Sequence, residues 1–216
     1  MDIGDIRDRL VLAALPHVVF DGWSHAALAA AAEDEGLDPT MPARAFPAGP
    51  ADAVAHFVAL ADRRMAEDVA SLDLSGARVP TRIVAAVRVR LERWAGHREA
   101  IRRALAVLAL PQNLGLAASL TWRTADAIWR AAGDKSHDFS WYTRRATLAA
   151  VYSATMLYWI DDSSDDAADT LAFLKRRLTD VGKVTRVRRR FEDLLENLPQ
   201  SGPGAAKGRR LFGLTR

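Results

Sequence analysis

The sequence predicts an all-α protein, a bundle of about nine helices. Three observations predict it. Apolar residues recur at helical spacing from one end of the chain to the other, and no stretch alternates apolar and polar residues as a half-buried strand would. Ala, Leu and Arg are abundant while β-branched runs are few, a composition that favours helix. Glycines and prolines fall between the periodic stretches rather than within most of them.

The first helix is expected near 5–15, ahead of Asp21-Gly22, and the second near 24–35, with Ser24 as N-cap and Gly36 as its stop. A short third covers about 38–46. After Phe46-Pro47 a long helix spans about 50–72, and Pro80 suits the first turn of a fifth, 80–95. The sixth, 99–110, is closed by Pro111. The seventh, 112–132, places Leu114, Ala118, Trp122, Ala125 and Trp129 on one face, which predicts that this face is buried. Gly133-Asp134 breaks it. The eighth, 138–160, is apolar on nearly every side after Arg145, the pattern of a helix in the middle of a bundle. The ninth begins after 161–166, where Ser163 and Asp166 have capping-box spacing, and runs to 198. The expected organisation is a helix-turn-helix-like part, 1–49; a helical bundle, 50–198; and a disordered basic tail, 199–216.

The chain has no cysteine, which excludes disulfides, thiolate nucleophiles and cysteine metal sites. The five histidines stand far apart and form no metal-binding pair with Glu at helical spacing. The acidic run Asp161, Asp162, Asp165, Asp166 and Asp169 lacks the spacing and glycine of a calcium loop and reads as an acidic helix start. With no nucleophile elbow, phosphate-binding loop or dinucleotide fingerprint, the sequence predicts a protein that is not an enzyme and has no metal or cofactor. The first residues form no signal or transit segment, and the longest apolar run, 147–160, is shorter than the roughly 20 residues of a membrane span. These features predict a cytoplasmic protein, peripheral on the inner face of the membrane.

Helix, glycine turn, short helix, then Phe46-Pro47, Gly49 and a long helix, with Gly22-Trp23 ahead, resembles the N-terminal part of tetracycline-repressor-type regulators. That resemblance implies a TetR-like scaffold, and a ligand-responsive transcriptional regulator is the rival functional reading. Duplex binding needs Lys and Arg to neutralise phosphates. Residues 1–56 instead hold three arginines against nine carboxylates, a net charge of −6, and the groove-facing helix offers only Arg44. The expected reading is a remnant that binds no nucleic acid.

The most distinctive stretch is 133–146, Gly-Asp-Lys-Ser-His-Asp-Phe-Ser-Trp-Tyr-Thr-Arg-Arg-Ala. With Trp122 and Asp126-Ala127-Ile128-Trp129 upstream, and Val151-Tyr152-Ser153-Ala154-Thr155 and Phe173-Leu174 to Arg177 downstream, it resembles the coenzyme Q (ubiquinone) biosynthesis accessory family, protein "nine" of that pathway. The resemblance spans about residues 5–190 and includes His17-Val18, Asp21-Gly22-Trp23 and Phe46-Pro47. It implies a non-catalytic homodimer that holds an isoprenoid quinone intermediate and presents it to the di-iron hydroxylase of the pathway. It further implies that Asp138, Trp141 and Tyr142 meet that hydroxylase; Ser140 stands where the family usually has Asn. The shorter, more charged C-terminal region departs from the long amphipathic membrane helix of eukaryotic members.

Read from the residues alone, Trp141 and Tyr142 beside Asp138, Arg144 and Arg145 are either interface anchors or core. The small residues Ala146, Ala149, Ala150, Ser153 and Ala154 either bring helices close together or leave volume for an isoprenoid chain among Trp122, Trp129, Leu148, Tyr152, Met156 and Leu157. Residues 171–190 carry eight basic side chains against Asp180, a net +7, with Val184, Val187 and Phe191 in an apolar stripe. Such a helix suits an anionic membrane surface, through Lys183, Arg186, Arg190 and Phe191; it suits equally a solvated or dimer-packing face, and less well nucleic acid.

Overall fold

The computed structural model describes residues 2–134 and 140–196, with side chains described up to residue 182 apart from residue 140. Among these residues there are nine α-helices and no strand: α1 Ile3–Asp21, α2 His25–Asp34, α3 Met41–Ala45, α4 Pro50–Ala70, α5 Val79–Arg93, α6 Arg98–Leu108, α7 Leu114–Ala131, α8 Ser140–Ile160 and α9 Ala168–Glu196. Short 3-10 turns precede α6, α7 and α9. Met1–Leu178 form one body, and Thr179–Arg216 separate as a second unit.

Most boundaries sit where the local chemistry puts them. Ser24 accepts a hydrogen bond from the Ala27 amide through Oγ (3.1 Å) and caps α2. Gly36 closes it at φ +60°, and the Leu37 amide reaches back to the Ala32 carbonyl (2.8 Å). α4 and α5 each begin with proline in the first turn.

Four expectations about the elements are corrected. α1 does not end at residue 15: it runs through Pro16, whose missing N–H costs one internal bond, and closes where Gly22 donates to the Val18 carbonyl (3.0 Å). Packing of the buried Leu10, Val11, Ala14, Leu15 and Val18 against α2 and α4 holds the helix across that gap. The face of α7 that turns inward carries Leu120, Thr124, Ala125 and Ile128, whereas Leu114 and Ala118 are exposed and Trp122 and Trp129 half-buried. Nor is α8 enclosed on all sides; Tyr142, Ala146, Ala150, Leu157 and Tyr158 are exposed along it. A fourth correction concerns the start of α9. The capping pair is not Ser163 with Asp166, because Asp166 adopts φ +51°, outside helical space. Asp162 and Ser164 do the capping: Asp162 accepts from the Thr170 amide (2.9 Å), and Ser164 Oγ accepts from that of Asp169 (3.1 Å).

The core of the body lies where α4 packs on α5 and α7, and α7 on α8. An aromatic chain ties the N-terminal helices to it. Trp23 lies tilted at 5.6 Å from Phe57, which meets Trp94 edge-on at 4.9 Å, and the Trp23 indole donates to the Ala100 carbonyl (2.9 Å). Among the described residues no single helix is long and apolar enough to cross a membrane.

Candidate functional site: an apolar cavity beside an aromatic patch

Buried faces of α4, α5, α6, α7 and α8 enclose a cavity of about 90 Å³. Its wall is built by Phe57, Leu91, Trp94, Ile101, Leu108, Leu120 and Trp159, with smaller contributions from Ala61 and Ala104. Val58, Leu105, Thr121 and Met156 also line it and are only half-buried, so the cavity approaches the surface on their side. Apart from the hydroxyls of Thr121, Thr124 and Tyr152 the wall is apolar, with one charged exception. Arg90, 7% exposed, enters from α5 at a position that the register of Ile83, Ala86, Val87 and Leu91 gives to an apolar residue.

Arg90 belongs to a buried polar cluster. Its Nε donates to the Tyr152 hydroxyl (2.8 Å), its Nη1 lies 3.0 Å from Asp62 Oδ1, and Thr124 Oγ1 donates to Asp62 Oδ2 (3.0 Å). Burial pushes Asp62 above the usual carboxylate range, against the pull of Arg90 and Thr124. Burial likewise raises Tyr152, so its hydroxyl keeps its proton at neutral pH.

A second feature lies at the start of α8. Trp122, Trp141 and Tyr142 form an aromatic cluster, with ring centroids 5.8 Å apart for Trp122 and Trp141, 6.3 Å for Trp122 and Tyr142, and 4.7 Å for the adjacent pair. Tyr142 is 63% exposed and Trp141 half-buried. The Arg145 guanidinium lies over the Trp141 ring at 4.0 Å and is itself held by Asp126 (2.6 Å) and Asp134 (3.3 Å). Polar partners beneath and an exposed ring above give the patch a rigid base.

The residues expected from sequence divide between these places. Tyr152 and Met156 line the cavity. Leu148 is buried but does not line it, Leu157 is 64% exposed, and Trp122 belongs to the aromatic patch. Trp129 packs under Arg144 and donates to its carbonyl (3.2 Å). Asp138 lies outside the described residues, as do the side chains of Lys183, Arg186, Arg190 and Phe191. Asp62, Arg90 and Thr124 were not expected. Their signal is opposite charges at or beside core positions of successive helices, α4 and α5, a pattern that demands pairing.

Comparison with known proteins places these features. The COQ9 family model matches residues 114–185, which hold α7, α8 and the aromatic patch. The ubiquinone biosynthesis protein COQ9, mitochondrial, of Rattus norvegicus is 34% identical over 208 residues, 93% of this chain and 66% of the relative. The Homo sapiens protein of that name is also 34% identical, with 93% and 65% covered. COQ9-B of Xenopus laevis is 32% identical, with 93% and 71% covered. The chain thus spans 66% and 65% of the length of the rat and human relatives. A TetR transcriptional regulator from Nitrosomonas europaea superposes with a TM-score of 0.62 at 20% identity, over 81% of this chain and 97% of the regulator, so the fold is TetR-like. Sequence identity sustained across nearly the whole chain, over a TetR-like helical body, makes this chain a member of the COQ9 family.

Proposed function

We propose that this chain is a non-catalytic accessory protein of ubiquinone biosynthesis that holds an isoprenoid quinone intermediate in the α4–α8 cavity and presents it to the di-iron hydroxylase of the pathway. The observation that carries this reading is that one helix, α8, supplies both halves of the task. Trp141 and Tyr142 at its start form the exposed aromatic patch, and Tyr152, Met156 and Trp159 further along line the cavity. Aromatic anchors over a firm polar base are what a protein partner recognises. The hydroxylase docks on Asp138, Trp141 and Tyr142, two copies of the chain pair through the exposed apolar faces of α7 and α8, and the basic segment after residue 182 lies on an anionic membrane surface.

At about 90 Å³ the cavity is smaller than the roughly 300–1,000 Å³ of sites for drug-sized ligands. Loading therefore requires the half-buried side to move. Met156 is suited to this, since an unbranched thioether changes rotamer at low cost. Native mass spectrometry of the purified full chain, followed by lipid extraction, tests the reading: a prenylated aromatic lipid is expected to leave with the protein. Protein that carries no lipid, and that fails to take up a prenylated phenol when one is supplied, overturns it. Capture of the hydroxylase is expected to fall at least ten-fold in the Trp141→Ala/Tyr142→Ala variant.

A further inference from the structure

The buried cluster of Arg90, Asp62 and Tyr152 is incomplete. Arg90 Nη1 and Asp62 Oδ1 stand 3.0 Å apart, yet neither makes a hydrogen bond. The Trp94 indole N–H, on the same cavity wall, also lacks a partner. Buried polar atoms are paired in nearly all folded proteins, because each one left unmade costs on the order of 1–3 kcal/mol. An orphan donor and an orphan acceptor together, beside an apolar cavity, mark the place of a group that has both functions.

A hydroxyl is that group. One oxygen within hydrogen-bonding distance of both atoms accepts from Arg90 Nη1 and donates its own proton to Asp62 Oδ1. A carbonyl oxygen satisfies only the arginine. A carboxylate satisfies only the arginine too, and adds an uncompensated negative charge to a pair that is already neutral, at a cost of several kcal/mol in a buried site. The Trp94 N–H on the same cavity wall is a further donor for an oxygen of the ligand. We infer that the Arg90–Asp62 pair, with Tyr152 and Trp94, is a head-group subsite that selects neutral, hydroxyl-bearing apolar ligands, phenols above quinones and benzoates. The subsite rests on the lipid-binding reading and gives it a chemical direction: among isoprenoid ligands of equal chain length, the one that carries a ring hydroxyl is held most tightly.

Trp94 and Trp159 on the wall report occupancy through their fluorescence. Titration of the full chain with geranylphenol, geranylbenzene and a geranyl-substituted benzoate of equal chain length tests the inference. Geranylphenol is expected to bind at least ten-fold more tightly than either of the others. In Asp62→Leu/Arg90→Met, which replaces the ion pair by apolar groups of similar bulk, the preference is expected to vanish while the hydrocarbon still binds. Tyr152→Phe, which leaves the pair in place but removes the oxygen that fixes the arginine, is expected to reduce the preference several-fold. Should the double variant fail to fold, the wild-type comparison and Tyr152→Phe decide the matter. Equal affinity of the wild-type protein for geranylphenol and geranylbenzene, as a permanently held water on the pair would give, overturns the subsite and leaves lipid binding standing. No binding of any of the three overturns both.

Discussion

Asp162 shows how much one side chain holds between two helices. Its Oδ1 accepts from the amide and hydroxyl of Ser164 (2.8 and 2.6 Å), and its Oδ2 accepts from the amide and hydroxyl of Thr170 (2.9 and 2.5 Å). Burial alone would raise its pKa, but these four bonds outweigh it and hold the carboxyl well below its ordinary 3.8. A carboxylate with a depressed folded pKa stabilises the protein fully above the unfolded value and loses that contribution as pH falls toward the folded one. Asp162→Ala is therefore expected to cost about 2–3 kcal/mol in urea unfolding at pH 7, with the gap to wild type narrowing steadily below pH 4. Arg145, 2% exposed, is the counterpart on α8. Arg145→Met leaves Asp126 and Asp134 without their buried cation, and a loss of about 3 kcal/mol is expected, read by the same measurement. Such pairings were only half legible: the sequence displays the charges, but the partner of Asp62 lies 28 residues away on the next helix, and only packing brings them together.

Among the elements, what the sequence could show was decided by local chemistry. Ser24, Gly36, Pro80 and Gly133 act on their own neighbours, so the ends of α2, the start of α5 and the end of α7 were readable from residue type. The inner face of a helix is chosen by its neighbours instead. α7 has apolar residues on both sides, and burial went to the one that packs on its neighbours through Leu120, Thr124, Ala125 and Ile128, where the Thr124 hydroxyl also meets Asp62. The same reason hid the exposed stripe of α8, where apolar residues all round gave no preferred direction. Gly133 offers a test at this scale. It sits at φ +86°, and an added Cβ would meet Arg82 Nη1 at 2.9 Å, the mobile end of a long side chain that can shift. Gly133→Ala is expected to destabilise by about 1 kcal/mol from the backbone conformation alone, visible as a small drop in Tm.

At the scale of the molecule, a TetR-like body carries an N-terminal part whose charge is wrong for DNA. Arg44 is the sole cation of α3, and Arg7 and Arg9 are already engaged by Asp52 (2.7 Å) and Glu35 (2.5 Å). Anisotropy of a labelled random duplex is accordingly expected to stay flat at low salt. A different surface, on α7 and α8, is apolar and exposed. Beyond the aromatic patch, Ala146, Ala150 and Leu157 follow one another along α8 at helical spacing, all exposed, and Leu114 and Ala118 are exposed on the adjoining α7. Monomers rarely leave so extended an apolar surface in water. In the dimer proposed above, small residues at its centre would allow a second copy of α8 to approach closely, and a two-fold axis would bury each stripe against itself. Light scattering behind size exclusion is expected to give the mass of a dimer. Ala150→Glu and Leu157→Glu place charges on the stripe without touching the core, so each is expected to yield a folded monomer with unchanged helical circular dichroism. A wild-type protein that elutes as a monomer at micromolar concentration, or charged variants that remain dimeric, would assign that surface to another partner.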